Sequence, residues 1–252
     1  MIIPESPPSS HTLLEAEQPE PPLPAKAPVR RWAWFSLHSS HVVAVCLLGV
    51  VFLYYDTLQP FTHNEIWSHV RYGEWIVNEG ALPTQELFSR FADPEYTYTN
   101  FYWLSQVIFY LVYHTGELLH GGSDVQQMAA GVQMLRTFFA LLMVLKVGLV
   151  MLALWRSARS LPLAIVGGLL VFVWMLPLNR GIKPQAFGEV FFAFLLWWMS
   201  APRLSRWSVL ILPQLFIVWV NCHPSFIAGL GFLTLFWLGR MIEFAWRCPE
   251  LC

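Results

Sequence analysis

"YWLSQVIFYLVYHTGEL", residues 102–118, is the stretch on which the fold turns. At 17 residues it is long and apolar enough to be read as a membrane crossing, since a hydrocarbon core of about 30 Å takes about 17–25 helical residues. Counting it as a span reverses the orientation of everything after it, so the arginines decide. If it does not cross, Arg30 and Arg31, Arg156 and Arg159, Arg203 and Arg206, and Arg240 and Arg247 all fall on one side. An excess of basic residues in short loops marks that side as the cytoplasm. If it does cross, the last three pairs move outside while the first stays in. Residues 102–118 are therefore expected to form a helix lying along the outer interface.

Around this segment, apolar stretches with aromatic ends at about 37–57, 130–155, 161–178, 185–200, 207–221 and 224–240 read as spans. The expected fold is all-α: a polytopic transmembrane bundle of about six spans, with interfacial helices in a long first external loop, residues 58–128. Composition agrees, because 56% hydrophobic and 12% charged residues, with 13 Trp and 19 Phe, are too apolar for an ordinary soluble domain. A net charge of -1 offers no basic face to neutralise phosphates, which argues against a nucleic-acid partner. The acidic residues are segregated: Glu65, Glu74, Glu79, Glu86, Asp93, Glu95, Glu117 and Asp124 put eight of the 16 in the external loop. Residues 1–31, with "PESPPSS" and "PEPPLPAKAP", are expected to be a disordered proline-rich cytoplasmic tail. The transmembrane bundle then occupies residues 32–252. The tail is not a signal peptide, because the first long apolar stretch follows Arg30 and Arg31 and no small-residue cleavage site comes after it. Cys46, Cys222, Cys248 and Cys252 lack zinc-site spacing.

Chemistry gathers on the outer side. Residues 64–79 read as an amphipathic helix in which Ile66, Val70, Gly73 and Val77 recur at helical spacing, and Gly80 and Pro83 end it. Glu65 and His69 stand four apart on another face. Such a pair can share a proton, hold a metal or bind a polar substrate; it is equally the hydrated face of an interfacial helix. Glu86 follows in "LPTQELFSR". In "NRGIKPQAFGEV", Arg180 and Lys183 sit at the outer mouth of a span, placed to hold a phosphate. Glu189 lies inside that span, with Lys146 or Lys183 as its expected ion-pair partner. The tight turn in "WVNCHPSFIAG" puts Asn221 and His223 at the membrane surface.

Five stretches together, "EIWSHVRYGEWI", "LPTQELFS", "YWLSQ", "KPQAF" and "WVNCHPSFIAG", carry a resemblance. In order and approximate spacing, from about residue 56 to 230, the chain resembles the N-terminal half of the GT-C superfamily of polytopic membrane glycosyltransferases. The likeness is to a group of poorly characterised bacterial members, related in architecture to protein mannosyltransferases and oligosaccharyltransferases. Glu65 and Glu86 stand where that pattern has aspartates, and Lys183 where it has arginine. The resemblance implies transfer of a sugar from a polyprenyl-phosphate donor to a glycan, lipid or protein acceptor on the outer face of a bacterial inner membrane. It implies that Glu65 acts as general base or as ligand to a divalent metal, with Glu86 assisting. Lys183 and Arg180 would stabilise the departing lipid phosphate, and His69, Arg71, Gln185, Asn221 and His223 would bind or orient donor and acceptor. Trp67, Trp75 and Trp103 are expected to anchor the loop helices at the interface. Two rivals stand beside this: a non-catalytic scaffold or inactive fragment, and a transporter in which Lys146 and Glu189 are the essential pair.

Overall fold

A computed structural model describes residues 39–59, 65–89, 91, 98–179 and 181–247. The expectations for the tail 1–31, for Arg180 and for Cys248 and Cys252 lie outside the described residues. All regular structure among the described residues is helical: α1 Ser39–Leu53, continued by a π-helical turn Tyr54–Leu58, α2 Glu65–Glu79, α3 Trp103–Leu119, α4 Asp124–Ala158, α5 Leu161–Met175, α6 Gln185–Met199, α7 Ser208–Cys222 and α8 Phe226–Arg247.

Among the described residues three helices are long and apolar enough to cross a membrane: Ser39–Leu58 with 20 residues, Asp124–Ala158 with 35 and Phe226–Trp246 with 21. They point to a membrane protein. Helices α5, α6 and α7 are apolar but have 15 residues each, about 22 Å at 1.5 Å per residue, against a hydrocarbon core of about 30 Å. Each of the six apolar stretches read from the sequence is thus a helix. α3 does not rank among the helices long and apolar enough to cross.

α4 outruns its expected bounds at both ends for identifiable reasons. At its start the Gln126 side chain turns back to accept the Ser123 N–H at 3.0 Å, one arm of a capping box. At its end Arg159 adopts a left-handed conformation, φ 52°, and its N–H caps the Trp155 carbonyl at 2.8 Å. α4 packs against α1, α3, α5 and α6, α2 lies on α3, and α3 reaches α7. The central core joins Val51, Ile66, Val70, Phe109, Leu135, Phe139, Met143, Phe172 and Phe187. A helix surrounded by so many partners is buried well beyond α1 and α8, whose long apolar faces stay exposed.

α2 ends as its sequence predicts, with Gly80 at φ +65° and its N–H bonded to the Ile76 carbonyl at 2.9 Å. Its buried stripe differs in one position. Ile66, Val70 and Gly73 are buried, but Tyr72 and Ile76 complete the set while Val77 is 44% exposed. Tyr72 is covered by Phe88 and Tyr98 from the segment that follows α2, which widens the buried face beyond the stripe set by the helical period. At the crossing a Cβ on Gly73 would stand 2.1 Å from the Gln106 carbonyl oxygen, so only glycine lets α2 and α3 meet.

Candidate functional site

Glu65 opens α2 and Lys183 stands two residues before α6, 118 positions later in the chain. The fold brings them together: Lys183 Nζ lies 3.0 Å from Glu65 Oε2, with side chains 34% and 58% exposed. One turn along α2, His69 is pinned by a chain of amides anchored on a backbone group that can only donate. The Tyr102 N–H donates to Asn100 Oδ1 at 3.1 Å, and Asn100 Nδ2 donates to Gln106 Oε1 at 2.6 Å. Gln106 Nε2 therefore faces His69 Nδ1, at 3.3 Å, as a donor. The imidazole must accept at Nδ1 and carry its proton on Nε2. Burial lowers the His69 pKa from 6.5 to about 4; Glu65 opposes the shift, and His223 and Lys183 reinforce it.

His223 arrives from the turn between α7 and α8. Its Nδ1 accepts the Ser225 N–H at 3.1 Å, and Ser225 Oγ in turn accepts from the buried Trp219 Nε1 at 3.0 Å. The neutral ring again keeps its proton on Nε2, and burial lowers its pKa, with Glu189 opposing. The two histidines flank one phenol: the Tyr102 ring lies 5.8 Å from His69 and 5.7 Å from His223. Both imidazoles thus present an N–H donor and resist protonation beside a half-exposed carboxylate–ammonium pair.

The remaining expected residues divide. Asn221 uses both ends of its amide on the protein, accepting from Trp103 Nε1 at 2.7 Å and donating to the Ile217 carbonyl at 2.7 Å, so it ties α3 to α7. Ser105 Oγ reinforces that tie by donating to the Cys222 carbonyl at 3.1 Å. Trp103 is therefore a strut between helices as well as an aromatic at the end of α3. Arg71 pairs with Glu74 at 2.7 Å on the exposed side of α2. Glu86 accepts the Tyr72 hydroxyl, and Tyr72 stacks on Tyr98 at 5.6 Å. Burial, then the Glu86 hydrogen bond, pushes the Tyr72 pKa up, so the phenol stays a donor. Glu86 belongs to this aromatic cluster one turn beyond His69 on α2.

Beneath lies a second ion pair. Lys146 Nζ donates to Glu189 Oε2 at 2.7 Å, with the side chains 5% and 14% exposed. Asn179 Nδ2 also reaches Glu189 Oε2, at 3.1 Å, and Gln185 Nε2 reaches Oε1 at 3.4 Å. The Asn179 carbonyl accepts Gln59 Nε2, and the Gln59 carbonyl accepts Arg136 Nη2 at 2.9 Å. Of the two partners expected for Glu189, Lys146 is the one that holds it. A cavity of about 380 Å³ adjoins the pair, with Gln185, His223, Phe192 and Trp219 in its mostly apolar wall.

The structure thus gathers Glu65, His69, Lys183 and His223, joins Gln185 to the cavity, and sets Glu86, Arg71 and Asn221 to other contacts. Gln106 and Asn100, which fix His69, and Gln59 and Asn179, which support Glu189, carry no role in the sequence reading, although Gln106 lies in "YWLSQ" and Asn179 opens "NRGIKPQAFGEV". Each is one polar residue in an apolar or loop context, and only burial gives it meaning. Among the described residues no three His, Cys, Asp or Glu side chains converge as a metal site requires. Glu65, expected as a ligand, is held by Lys183. Comparison with protein-family models, with curated proteins and with solved structures yields no match.

Proposed function

We propose that the chain is a membrane glycosyltransferase of GT-C type that moves a sugar from a polyprenyl-phosphate carrier to an acceptor on the outer face of a bacterial inner membrane. In this reading α1, α4, α5, α6, α7 and α8 are six spans, the N-terminus is cytoplasmic, and α2 and α3 lie along the outer interface. The observation that carries it is the Glu65–Lys183 pair, a carboxylate and an ammonium from distant segments meeting at 3.0 Å beside two neutral imidazoles.

At rest the two groups neutralise each other. A donor phosphate would compete for Lys183 and release Glu65. As the bond from the sugar's anomeric carbon to the phosphate oxygen breaks, the electron pair leaves on the phosphate, where Lys183 stabilises it. The acceptor oxygen bonds to the anomeric carbon and passes its proton to Glu65. The Nε2–H groups of His69 and His223 would hold sugar hydroxyls, and the apolar cavity beside His223 would take the isoprenoid.

A second reading, a transporter-like protein, rests on the Lys146–Glu189 pair in the cavity wall. Membranes bearing the protein, supplied with radiolabelled polyprenyl-phosphate sugar, separate the two. Glu65→Ala and Lys183→Ala should each abolish label transfer while inserting at parental levels. Full transfer by either variant would overturn the enzymatic reading.

A further inference from the structure

Trp197, in the last turn of α6, is 14 residues from Lys183, about 21 Å along the axis. At that end a cavity of about 350 Å³ is lined by Leu152, Trp155, Arg156, Arg159 and Trp197, within the size range of small-molecule sites. The Arg156 guanidinium stacks over Trp197, 5.0 Å from the ring centroid, and Nη1 donates to the Trp197 carbonyl at 3.2 Å. One N–H donor of the five is so engaged, and the contact locks the orientation of the rest. Arg159 occupies a left-handed position, φ 52°, that glycine would take without strain. Among the described residues neither arginine has a carboxylate within ion-pair distance. Attraction to the α4 C-terminus and the preference of basic residues for the cytoplasmic side account for cations there; what they leave unexplained is the gathering of two guanidinium groups around one cavity walled by indoles.

We propose that this cradle binds the phosphodiester headgroup of an anionic phospholipid. The guanidinium forks suit phosphate oxygens, tryptophans favour the boundary between headgroup and hydrocarbon, and basic pockets between membrane helices take anionic lipids. The half-exposed Leu152 and Trp155 commit the site to a lipid, because a free phosphate has no use for an apolar wall beside it. The inference rests on the chain being a membrane protein and is independent of sugar transfer.

The test is native mass spectrometry of the full chain in detergent with phosphatidylglycerol or phosphatidylcholine. The parent should retain phosphatidylglycerol preferentially, and Arg156→Gln with Arg159→Gln should weaken it about thirtyfold, as two arginines near an anionic surface imply. Arg203→Gln with Arg206→Gln removes the same charge from the neighbouring loop and should leave retention within about twofold. Arg159→Gly keeps the helix end relaxed, so it folds even where the double variant does not, and should cost about fivefold. The proposal fails if both double variants weaken retention equally, if Arg159→Gly changes nothing, if the two lipids are held alike, or if inorganic phosphate displaces the lipid.

Discussion

Among the described residues two carboxylate–ammonium pairs have nearly equal length and opposite surroundings. Lys146–Glu189, at 2.7 Å, is buried between α4 and α6, and Asn179 and Gln185 reach the carboxylate as well. Glu65–Lys183, at 3.0 Å, is open to solvent on both sides. A charge removed from water is costly unless paired, and breaking a buried pair leaves the survivor stranded. Exposed pairs contribute about 0–1 kcal/mol, because water competes for both groups. Length therefore says little about role, whereas burial divides a structural tie from a pair that water can reach.

The sharpest way to break this contrast is at the buried pair. Lys146→Ala or Glu189→Ala should destabilise the fold by about 3–5 kcal/mol, read as a lowered thermal midpoint in detergent. Replacing both by apolar residues of similar volume, Lys146→Met with Glu189→Leu, should recover most of that loss, because no charge remains buried. A double variant as unstable as the singles would mean that the ions themselves are needed.

His69 gives the next largest effect. Its pKa is about 4 in the fold and about 6.5 in the unfolded chain. Between those values the unfolded state binds the extra proton, so stability is complete above pH 6.5 and falls as pH drops toward 4. The loss reaches about 3 kcal/mol and then levels off. Protonation would also set an Nδ1–H against the Gln106 Nε2–H, which the Asn100 relay prevents from turning. His69→Gln should reduce the acid slope of the thermal midpoint across that window, leaving the part that His223 contributes, and an unchanged acid slope would remove His69 as its cause.

Much of this was legible in the sequence. Hydropathy located all six apolar helices, and the 3.6-residue period with Gly80 placed α2 to within a residue, because both signals are local. Glu65 and His69 were visible as a pair for the same reason. What could not be read is who meets whom across the chain. Lys146 and Lys183 were equal suitors for Glu189, and only the packing of α4 on α6 decided between them. Gln106 and Asn179 carry no periodic signal, since a single amide in an apolar run reads the same whether it bonds across a helix or faces water. Val77 differs from its expectation because the period gives candidate positions one turn apart, and at the last turn Ile76 takes the buried place while Val77 stays 44% exposed.

The close approach of α2 to α3 holds His69 against Gln106, and its loss should have a smaller effect. Gly73→Ala pushes a methyl into the Gln106 backbone, an overpacking worth about 1–3 kcal/mol. It should also part His69 from Gln106, so that the acid slope weakens together with the midpoint. A variant that lost stability but kept the full slope would show that the imidazole is held by something else.

The smallest effect on stability should be the largest on function. Glu65→Ala and Lys183→Ala remove an exposed pair and should shift unfolding by about 0–1 kcal/mol, while transfer from a polyprenyl-phosphate sugar disappears. Exchanging the charges, Glu65→Lys with Lys183→Glu, restores an ion pair across the same gap and should fold like the parent. On the proposed reading it places the ammonium where a proton is to be accepted and the carboxylate where a phosphate is to be held, so transfer should stay absent. If the exchanged pair transfers sugar, attraction between α2 and the start of α6 is all that the two residues provide. If it folds and is silent, their order along the chain is the chemistry, and the contrast with the buried pair holds.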